Sequence, residues 1–420
     1  MLHRFGGIGG AVSQLHDERR PIVPPNFALG LFDGLIMQRD SRVRLISGYD
    51  RTDIRVRLLS QEAEMTAVDI VLLREPNQGK LRFVAYRDFN LALEGPLDFA
   101  EEASFVAEYK RLSDALTDNA ERPTPQHLRS FGRRLADALF PGDISRLVGV
   151  LDNDTLQLGI CANDPALKSV PWEYLVCPGT ADAPNIARTI ARIVPVSNGA
   201  NVPATKLDGR PLRVCMIVAD PSDLGKVPWD DLKGTLESTF DSYLSEKGVA
   251  TQVKMDLVEA PNRRKLNTAL GKEDYDVIHF LGHGEPDALY LVDRANNNSV
   301  PVPADVVVPL FQRDSVKLII LTACSTGKQA PNGLPALAER LVSEFAPAVV
   351  GNQLPITSAA IACFCGSFYQ QLLSNGNVDE AFARGRQALK VQMTVSATEA
   401  AIEWGIPILY RRPGRSVLFT

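Results

Sequence analysis

Two apolar runs in the second half of the chain end in reactive side chains: YDVIHFLGHGE at residues 275–285 and VKLIILTACSTG at residues 316–327. A short, nearly continuous apolar run is typical of a strand that is buried on both faces of a sheet. The first run leads into His283 and the second into Cys324. Ligands bind beyond the carboxyl ends of parallel strands, so these two residues mark the candidate reactive site.

The sequence around these runs alternates between strand and helix patterns. This alternation predicts an α/β fold with a doubly wound, mostly parallel sheet and helices on both faces. The predicted strands are 214–219, 250–257, 275–281, 316–322, 348–350 and 406–410, with a hairpin at 288–292 and 299–302. The predicted helices are 232–244, 263–270, 304–311, 336–345, 358–374 and 378–391.

The first half of the chain has a different pattern, which predicts a smaller α+β region. Residues 1–40 are rich in Gly and Pro and are expected to be irregular; GGIGG at 6–10 lacks the context of a phosphate-binding loop. Short strands are predicted at 43–47, 54–59, 67–73 and 81–93, helices at 105–116 and 128–139, and strands at 155–161 and 190–196. We therefore divide the chain into 1–145, with a regulatory or substrate-recognition role, 146–204, which ends in a linker, and 205–420.

Composition excludes several classes of protein. The chain has 420 residues, 45% hydrophobic and 23% charged, with a net charge of -5, which is typical of a globular protein and gives no reason to expect nucleic acid as a partner. No run of 18 apolar residues predicts a membrane span, and the N-terminus does not resemble a secretory signal. The six cysteines contain no CxxC pair, so we expect reduced thiols in the cytoplasm and no metal or cofactor.

A thiol and an imidazole at neighbouring strand ends suit nucleophilic catalysis. The imidazole of His283 takes the proton of the Cys324 thiol, and the thiolate attacks a carbonyl carbon. The imidazolium later protonates the leaving amine. Backbone N–H groups of Gly284 and Cys324 are candidates for an oxyanion hole. The alternative is that Cys324 is a small buried apolar residue and that His283 is structural.

These motifs resemble the CHAT domain, a group of caspase-like cysteine peptidases related to separases, metacaspases and gingipains. HFLGHGE at 279–285 and LTACSTG at 321–327 carry the resemblance most strongly. Further segments similar to the family are VPWEYL at 170–175, ALYL at 288–291, APAVVG at 346–351, NVDEAF at 377–382 and WGIP at 404–407. The resemblance covers roughly residues 150–412.

The resemblance implies a function and a set of residues. His283 would be the base, Cys324 the nucleophile and Gly284 an oxyanion donor. Residues 146–204 would belong to a degenerate caspase-like segment, with Trp172 as a packing anchor. The implied reaction is hydrolysis of one specific protein through an acyl-thioester, in bacterial defence or programmed cell death. The implied partners are a protein substrate, for example a gasdermin-like pore former, and an activating protein.

The substrate pocket is less well defined by the sequence. In related peptidases an acid after the first core strand receives a basic P1 residue, which points here to Asp220 and Asp223. These relatives also place an Asp two positions before the nucleophile, where this chain has Thr322. The two acids fit turn formation around Pro221 equally well. Asn352 and Gln353 follow the strand after Cys324 and are expected to pair with the substrate backbone.

Two rival functions remain open from the sequence. A catalytically idle caspase-like scaffold that binds proteins would keep the fold without using the His–Cys pair. A nucleotide-binding α/β domain would need a Gly-rich loop after its first core strand, where the chain has Ala219–Ser222 instead. A zinc site of His279 and His283 is disfavoured because the stretch between them is predicted as strand and turn rather than helix.

Overall fold

The computed structural model describes most of the chain from Thr66 onward. The described residues are 66–74, 80–87, 90–97, 99, 102–117, 123–140, 156–175, 189–196, 203–247, 253–328, 335–392, 400–414 and 416–420. They belong to one compact unit that spans 42–420. The expectations for residues 1–40, including GGIGG, and for strands at 43–47 and 54–59 lie outside the described residues.

The strands follow the apolar runs of the sequence closely. They are β1 (Thr66–Arg74), β2 (Leu81–Arg87), β3 (Asn90–Leu97), β4 (Leu156–Ala162), β5 (Thr189–Ile193), β6 (Leu212–Val218), β7 (Val253–Glu259), β8 (Val277–Leu281), β9 (Gly284–Glu285), β10 (Ala288–Val292), β11 (Ser299–Pro303), β12 (Leu318–Thr322), β13 (Ala348–Asn352) and β14 (Pro407–Arg411). The single strand expected at 81–93 was wrong, since this stretch contains two strands, β2 and β3, which pair with each other in the antiparallel direction.

The helices also agree with the periodicity of the sequence. They are α1 (Glu102–Thr117), α2 (Pro125–Leu139), α3 (Pro165–Lys168), α4 (Trp229–Lys247), α5 (Arg263–Leu270), α6 (Ala304–Phe311), α7 (Leu337–Glu344), α8 (Ser358–Asn375), α9 (Val378–Gln392) and α10 (Ala400–Glu403). Helix α5 begins after Asn262, whose side chain accepts the N–H of Lys265, and α8 begins after Thr357 in the same way. Gly376 caps the C-terminus of helix α8, and its φ of 66° lies in the left-handed region that favours glycine.

An eleven-stranded sheet runs through the described residues in the order β3-β2-β1-β4-β5-β14-β13-β12-β8-β6-β7. The strands β7, β6, β8, β12 and β13 are parallel neighbours, and every residue of β8, β12 and β13 is buried. Helices cover both faces of this part, so strands with two apolar faces are required. The predicted mostly parallel α/β fold is confirmed.

The N-terminal strands do not form a separate sheet. β14 pairs in parallel with β5, with Leu409 opposite Ala191, and in the antiparallel direction with β13. β5 in turn joins β4 and β1, from which β2 and β3 extend as an antiparallel meander. One sheet therefore crosses both of the predicted boundaries, at 145 and at 204.

A buried polar seam, formed by Glu173, Arg192 and Gln353, lies where the two halves of the sheet meet. Both carboxylate oxygens of Glu173 accept hydrogen bonds from Arg192, at 2.8 and 2.7 Å. The amide of Gln353 donates to the same carboxylate at 3.2 Å. Beside the seam, Trp172 is buried and donates from Nε1 to the carbonyl of Leu167. The packing role expected of Trp172 agrees with this position.

Candidate active site

The register of two neighbouring strands places His283 and Cys324 side by side. β8 and β12 are parallel, with Leu281 opposite Thr322, and the next N–H, from Gly282, donates to the carbonyl of Thr322. His283 and Cys324 each lie two residues beyond these paired positions. Neighbouring strands are about 4.8 Å apart, so the two residues occupy adjacent positions at one edge of the sheet.

The ring of His283 is oriented by a backbone carbonyl. Its Nε2 lies 2.6 Å from the carbonyl oxygen of Gly225, in the loop after β6. A carbonyl can only accept, so Nε2 carries the proton in this bond. In the neutral ring Nδ1 then holds the lone pair. The carbonyl of His283 itself accepts the N–H of Tyr290. His283 is therefore a proton acceptor through Nδ1.

Cys324 is half-buried and sits at the start of a tight turn. Burial raises the pKa of the Cys324 thiol above its usual value, although the N–H of Ile356 and its own N–H act in the opposite direction. Ser325, the next residue, has a φ of 59°, which turns the chain sharply after the cysteine. Because the thiol is protonated at neutral pH, it needs a base before it can attack.

The side chains of His283 and Cys324, both within the described residues, share no hydrogen bond in this structure. Their loops nevertheless pack closely. A Cβ added at Gly284 would lie 2.9 Å from Cγ2 of Thr326 and 3.1 Å from Cβ of Ala323. Glycine is thus required at 284 by the close approach of the two loops. The role of the Gly284 and Cys324 N–H groups as an oxyanion hole stays a prediction.

The two candidate pocket acids hold the loop after β6. Asp220 accepts the N–H of Val227 at 2.9 Å, and Asp223 accepts both the N–H and the hydroxyl of Ser299. Desolvation alone would raise the pKa of Asp223, but the hydrogen bonds from the hydroxyl and the N–H of Ser299 hold this pKa below its usual value. Both acids are exposed and serve the turn. Their binding of a basic P1 residue stays a prediction.

Asn352 and Gln353 are buried, which the sequence did not indicate. The backbone of Asn352 bonds to the turn after Cys324, because its carbonyl accepts the N–H of Gly327 and its N–H donates to the hydroxyl of Thr326. Gln353 is 2% exposed, and its amide donates to the carbonyl of Gly405 as well as to Glu173. A substrate-pairing role would require these side chains to reach solvent from their buried positions.

A buried hydrogen-bonded cluster behind the site was missed by the sequence. His279 contacts the hydroxyls of Thr322 and Tyr369 at 2.8 and 3.1 Å, and Cys365 bonds to Thr322. Burial lowers the pKa of His279 to about 3, so the ring is neutral. The sequence signal that could have revealed this cluster is His279 itself, a polar residue within the apolar run of β8. No group of three or more potential metal ligands occurs in the described part of the chain.

The buried ring of His279 predicts a stability that falls in acid. The unfolded chain binds a proton at this histidine below about pH 6.5, whereas the folded protein does not until about pH 3. Stability from this group is therefore present above pH 6.5 and is lost as the pH falls, by about 2 kcal/mol at pH 5. Urea denaturation at pH 7 and pH 5 measures the loss, and His279→Gln should lack this part of it. An unchanged pH dependence in the variant would contradict the prediction.

This strand order, with a His and a Cys after adjacent parallel strands, defines a caspase-like α/β fold. The chain belongs to the CHAT domain family, whose model matches residues 129–411. No described helix has the length and apolarity needed to cross a membrane. No curated protein shows a significant sequence match.

Several solved structures align with this chain at low sequence identity. The chain is 12% identical to the separase in the Saccharomyces cerevisiae separase–securin complex, with a TM-score of 0.51. The alignment covers 83% of this chain and only 30% of the separase chain. The Arg specific cysteine proteinase gingipain R aligns at 10% identity with a TM-score of 0.43, over 76% of this chain and 74% of its own. The complex of RgpB pro- and mature domains from Porphyromonas gingivalis aligns at 9% identity and a TM-score of 0.37, over 77% and 78%.

Proposed function

We propose that this chain is a cysteine endopeptidase in which Cys324 is the nucleophile and His283 is the base. The observation that supports it best is the register of β8 and β12, which puts the two residues at adjacent positions at one sheet edge. The bond between Nε2 of His283 and the carbonyl of Gly225 leaves Nδ1 as the acceptor. Membership of the CHAT domain family agrees with this chemistry.

The reaction consists of two acyl transfers, and His283 carries one proton in each. Nδ1 of His283 takes the thiol proton, and the thiolate of Cys324 attacks the carbonyl carbon of the scissile peptide. The N–H groups of Gly284 and Cys324 stabilise the oxyanion that forms. The imidazolium then gives its proton to the leaving amine, and an acyl-thioester remains. His283 next takes a proton from water, whose oxygen attacks the thioester carbonyl. The C–S bond then breaks, the acid leaves, and the imidazolium returns its proton to the sulfur of Cys324.

The resting site is not yet in a reactive arrangement. Burial raises the pKa of the Cys324 thiol, and the dyad shares no hydrogen bond in these described loops. Catalytic hydrogen bonds often tighten only when substrate is bound. We expect a protein substrate or an activating protein to bring the two side chains together. Separase is found in complex with securin, which makes control by a partner protein plausible here.

The substrate is proposed to be one specific protein, such as a gasdermin-like pore former, in bacterial defence or programmed cell death in the cytoplasm. Asp220 is the proposed acceptor for a basic P1 side chain, because it is exposed and follows the first core strand. Residues 1–145 are the proposed regulatory or recognition part, and 146–204 the degenerate caspase-like segment. The pairing of β5 with β14 supports a coupling of these parts to the catalytic strands.

A mixed peptide library with products identified by mass spectrometry tests the proposal. Wild-type protein should cleave a subset of peptides, and both Cys324→Ala and His283→Ala should lose that cleavage. A basic P1 residue in the products would support Asp220. If wild type cleaves nothing, an electrophilic probe separates two cases. Labelling of Cys324 that depends on His283 indicates an enzyme that awaits its activator, whereas no labelling favours an idle protein-binding scaffold.

A further inference from the structure

The loop after β6, residues 220–227, is fastened to the turn of the β10–β11 hairpin. The N–H of Ser222 donates to the carbonyl of Asn297 at 2.8 Å, and its hydroxyl contacts the same carbonyl. The carboxylate of Asp223 accepts the N–H of Ser299 at 2.6 Å and the hydroxyl of Ser299 at 2.8 Å. These bonds join segments 76 residues apart in the chain. We call the Asp223–Ser299 pair the clamp.

The same loop orients the ring of His283. Two residues after the clamp acid, the carbonyl of Gly225 accepts Nε2–H of His283. Asp220 closes the loop from its other side by accepting the N–H of Val227. The hairpin also contacts His283 directly, because the N–H of Tyr290 donates to its carbonyl. The hairpin therefore holds the backbone of His283 itself and holds the ring through the loop.

We propose that Asp223 and Ser299 are positioning residues that set the proton position and orientation of the His283 ring through the carbonyl of Gly225. Both clamp residues lie away from the buried core, where such bonds contribute little to global stability. A carbonyl that must meet a ring nitrogen at 2.6 Å, in contrast, requires a fixed loop. The clamp therefore affects the geometry around His283 more than the global stability of the fold.

Loss of the clamp removes the bonds at Asp223 and leaves the bonds of Ser222 to Asn297, so the segment between Asp223 and Gly225 is no longer tied to the hairpin directly. The carbonyl of Gly225 then no longer holds a fixed place beside Nε2. The neutral ring can carry its proton on either nitrogen and can rotate about its side-chain bonds. The fraction of molecules with Nδ1 unprotonated and facing the cysteine falls. The consequence for catalysis rests on the proposed function, whereas the effect on the ring does not.

Nitrogen NMR of the imidazole rings tests the inference, because the chain has only five histidines. Spectra are recorded near pH 9, above the usual titration range of histidine, so that the ring is neutral. Wild type should show His283 with the proton fixed on Nε2. Asp223→Ala should move the His283 ring shifts toward the average of the two tautomers, and Ser299→Ala, which keeps the backbone N–H bond to Asp223, should move them in the same direction by less. Ser299→Thr keeps the hydroxyl and the N–H and should resemble wild type.

Asp305→Ala is the matched control, because Asp305 is a surface carboxylate, 82% exposed, with a 2.7 Å bond to Arg340. It should leave the ring signals unchanged. Ser299→Ala should also lower kcat on a cleaved peptide at unchanged KM, by up to about tenfold. The double variant Asp223→Ala/Ser299→Ala should be no worse than Asp223→Ala alone, since the pair acts as one unit. His283 signals that do not move in Asp223→Ala would overturn the inference. Shifted signals in a protein that cleaves nothing would support the clamp while the peptidase proposal fails.

Discussion

Replacement of Cys324 by alanine is expected to lower kcat/KM by roughly 10⁴- to 10⁶-fold, because it removes the thiol proposed to form the acyl-enzyme. Cys324 is half-buried, so the loss of one sulfur should leave the melting temperature nearly unchanged. His283→Ala is expected to cause a loss of similar order, since the raised pKa of the thiol makes an external base necessary. Rates on the best library peptide measure both effects.

The double variant Cys324→Ala/His283→Ala should be no slower than either single variant. Residues that act as a unit show this lack of additivity. Cys363→Ala is the matched control, because Cys363 is also half-buried and burial raises its pKa to about 11. This variant should retain activity within about twofold. Full activity in His283→Ala would contradict the assignment of the base, and full activity in Cys324→Ala would contradict the mechanism.

Much of this site can be predicted from local sequence. The apolar runs at 277–281 and 318–322 predict buried parallel strands, and a reactive residue two positions after each run points to one sheet edge. This inference needs only the assumption that the strands are neighbours, which the pairing of β8 with β12 satisfies. The alternation of strands and helices likewise predicts the α/β architecture, because periodicity is a local property.

Contacts between distant segments could not be predicted in this way. The hydroxyl of Ser299 donates to the carboxylate of Asp223, and these two polar residues away from the core show no pattern in the sequence. Gln353 follows a buried strand and resembles a groove residue, but its partner Glu173 lies 180 residues earlier. The pairing of β5 with β14 similarly depends on how two halves of the chain meet. Such partners are set by tertiary packing, which a single sequence does not encode locally.

Glu173→Ala is expected to lower the stability of the fold strongly. Glu173 is 0% exposed, and its carboxylate binds Arg192 through two parallel hydrogen bonds and also accepts from Gln353. Glu173→Ala would leave a buried guanidinium without its counter-charge. Breaking a buried ion pair from one side typically costs about 3–5 kcal/mol, because the remaining charge stays desolvated. Urea denaturation of the variant measures the loss as a lower midpoint.

Two further variants test whether the uncompensated charge causes this loss of stability. Glu173→Met/Arg192→Met removes both members of the pair and should recover part of the stability that Glu173→Ala loses, since apolar replacements of a buried pair are often tolerated. The recovery is only partial because the charge of Glu173 also favours the buried guanidinium of Arg386. Glu94→Ala removes a surface partner of Arg82, in a pair that is 4.0 Å apart and 46% and 56% exposed, and should change stability by no more than about 0.5 kcal/mol. Equal losses in Glu173→Ala and in the double variant would show that packing, rather than charge, dominates the seam. Because Gln353 continues the strand beside that of Cys324, Glu173→Ala should also lower peptidase activity by more than Glu94→Ala does.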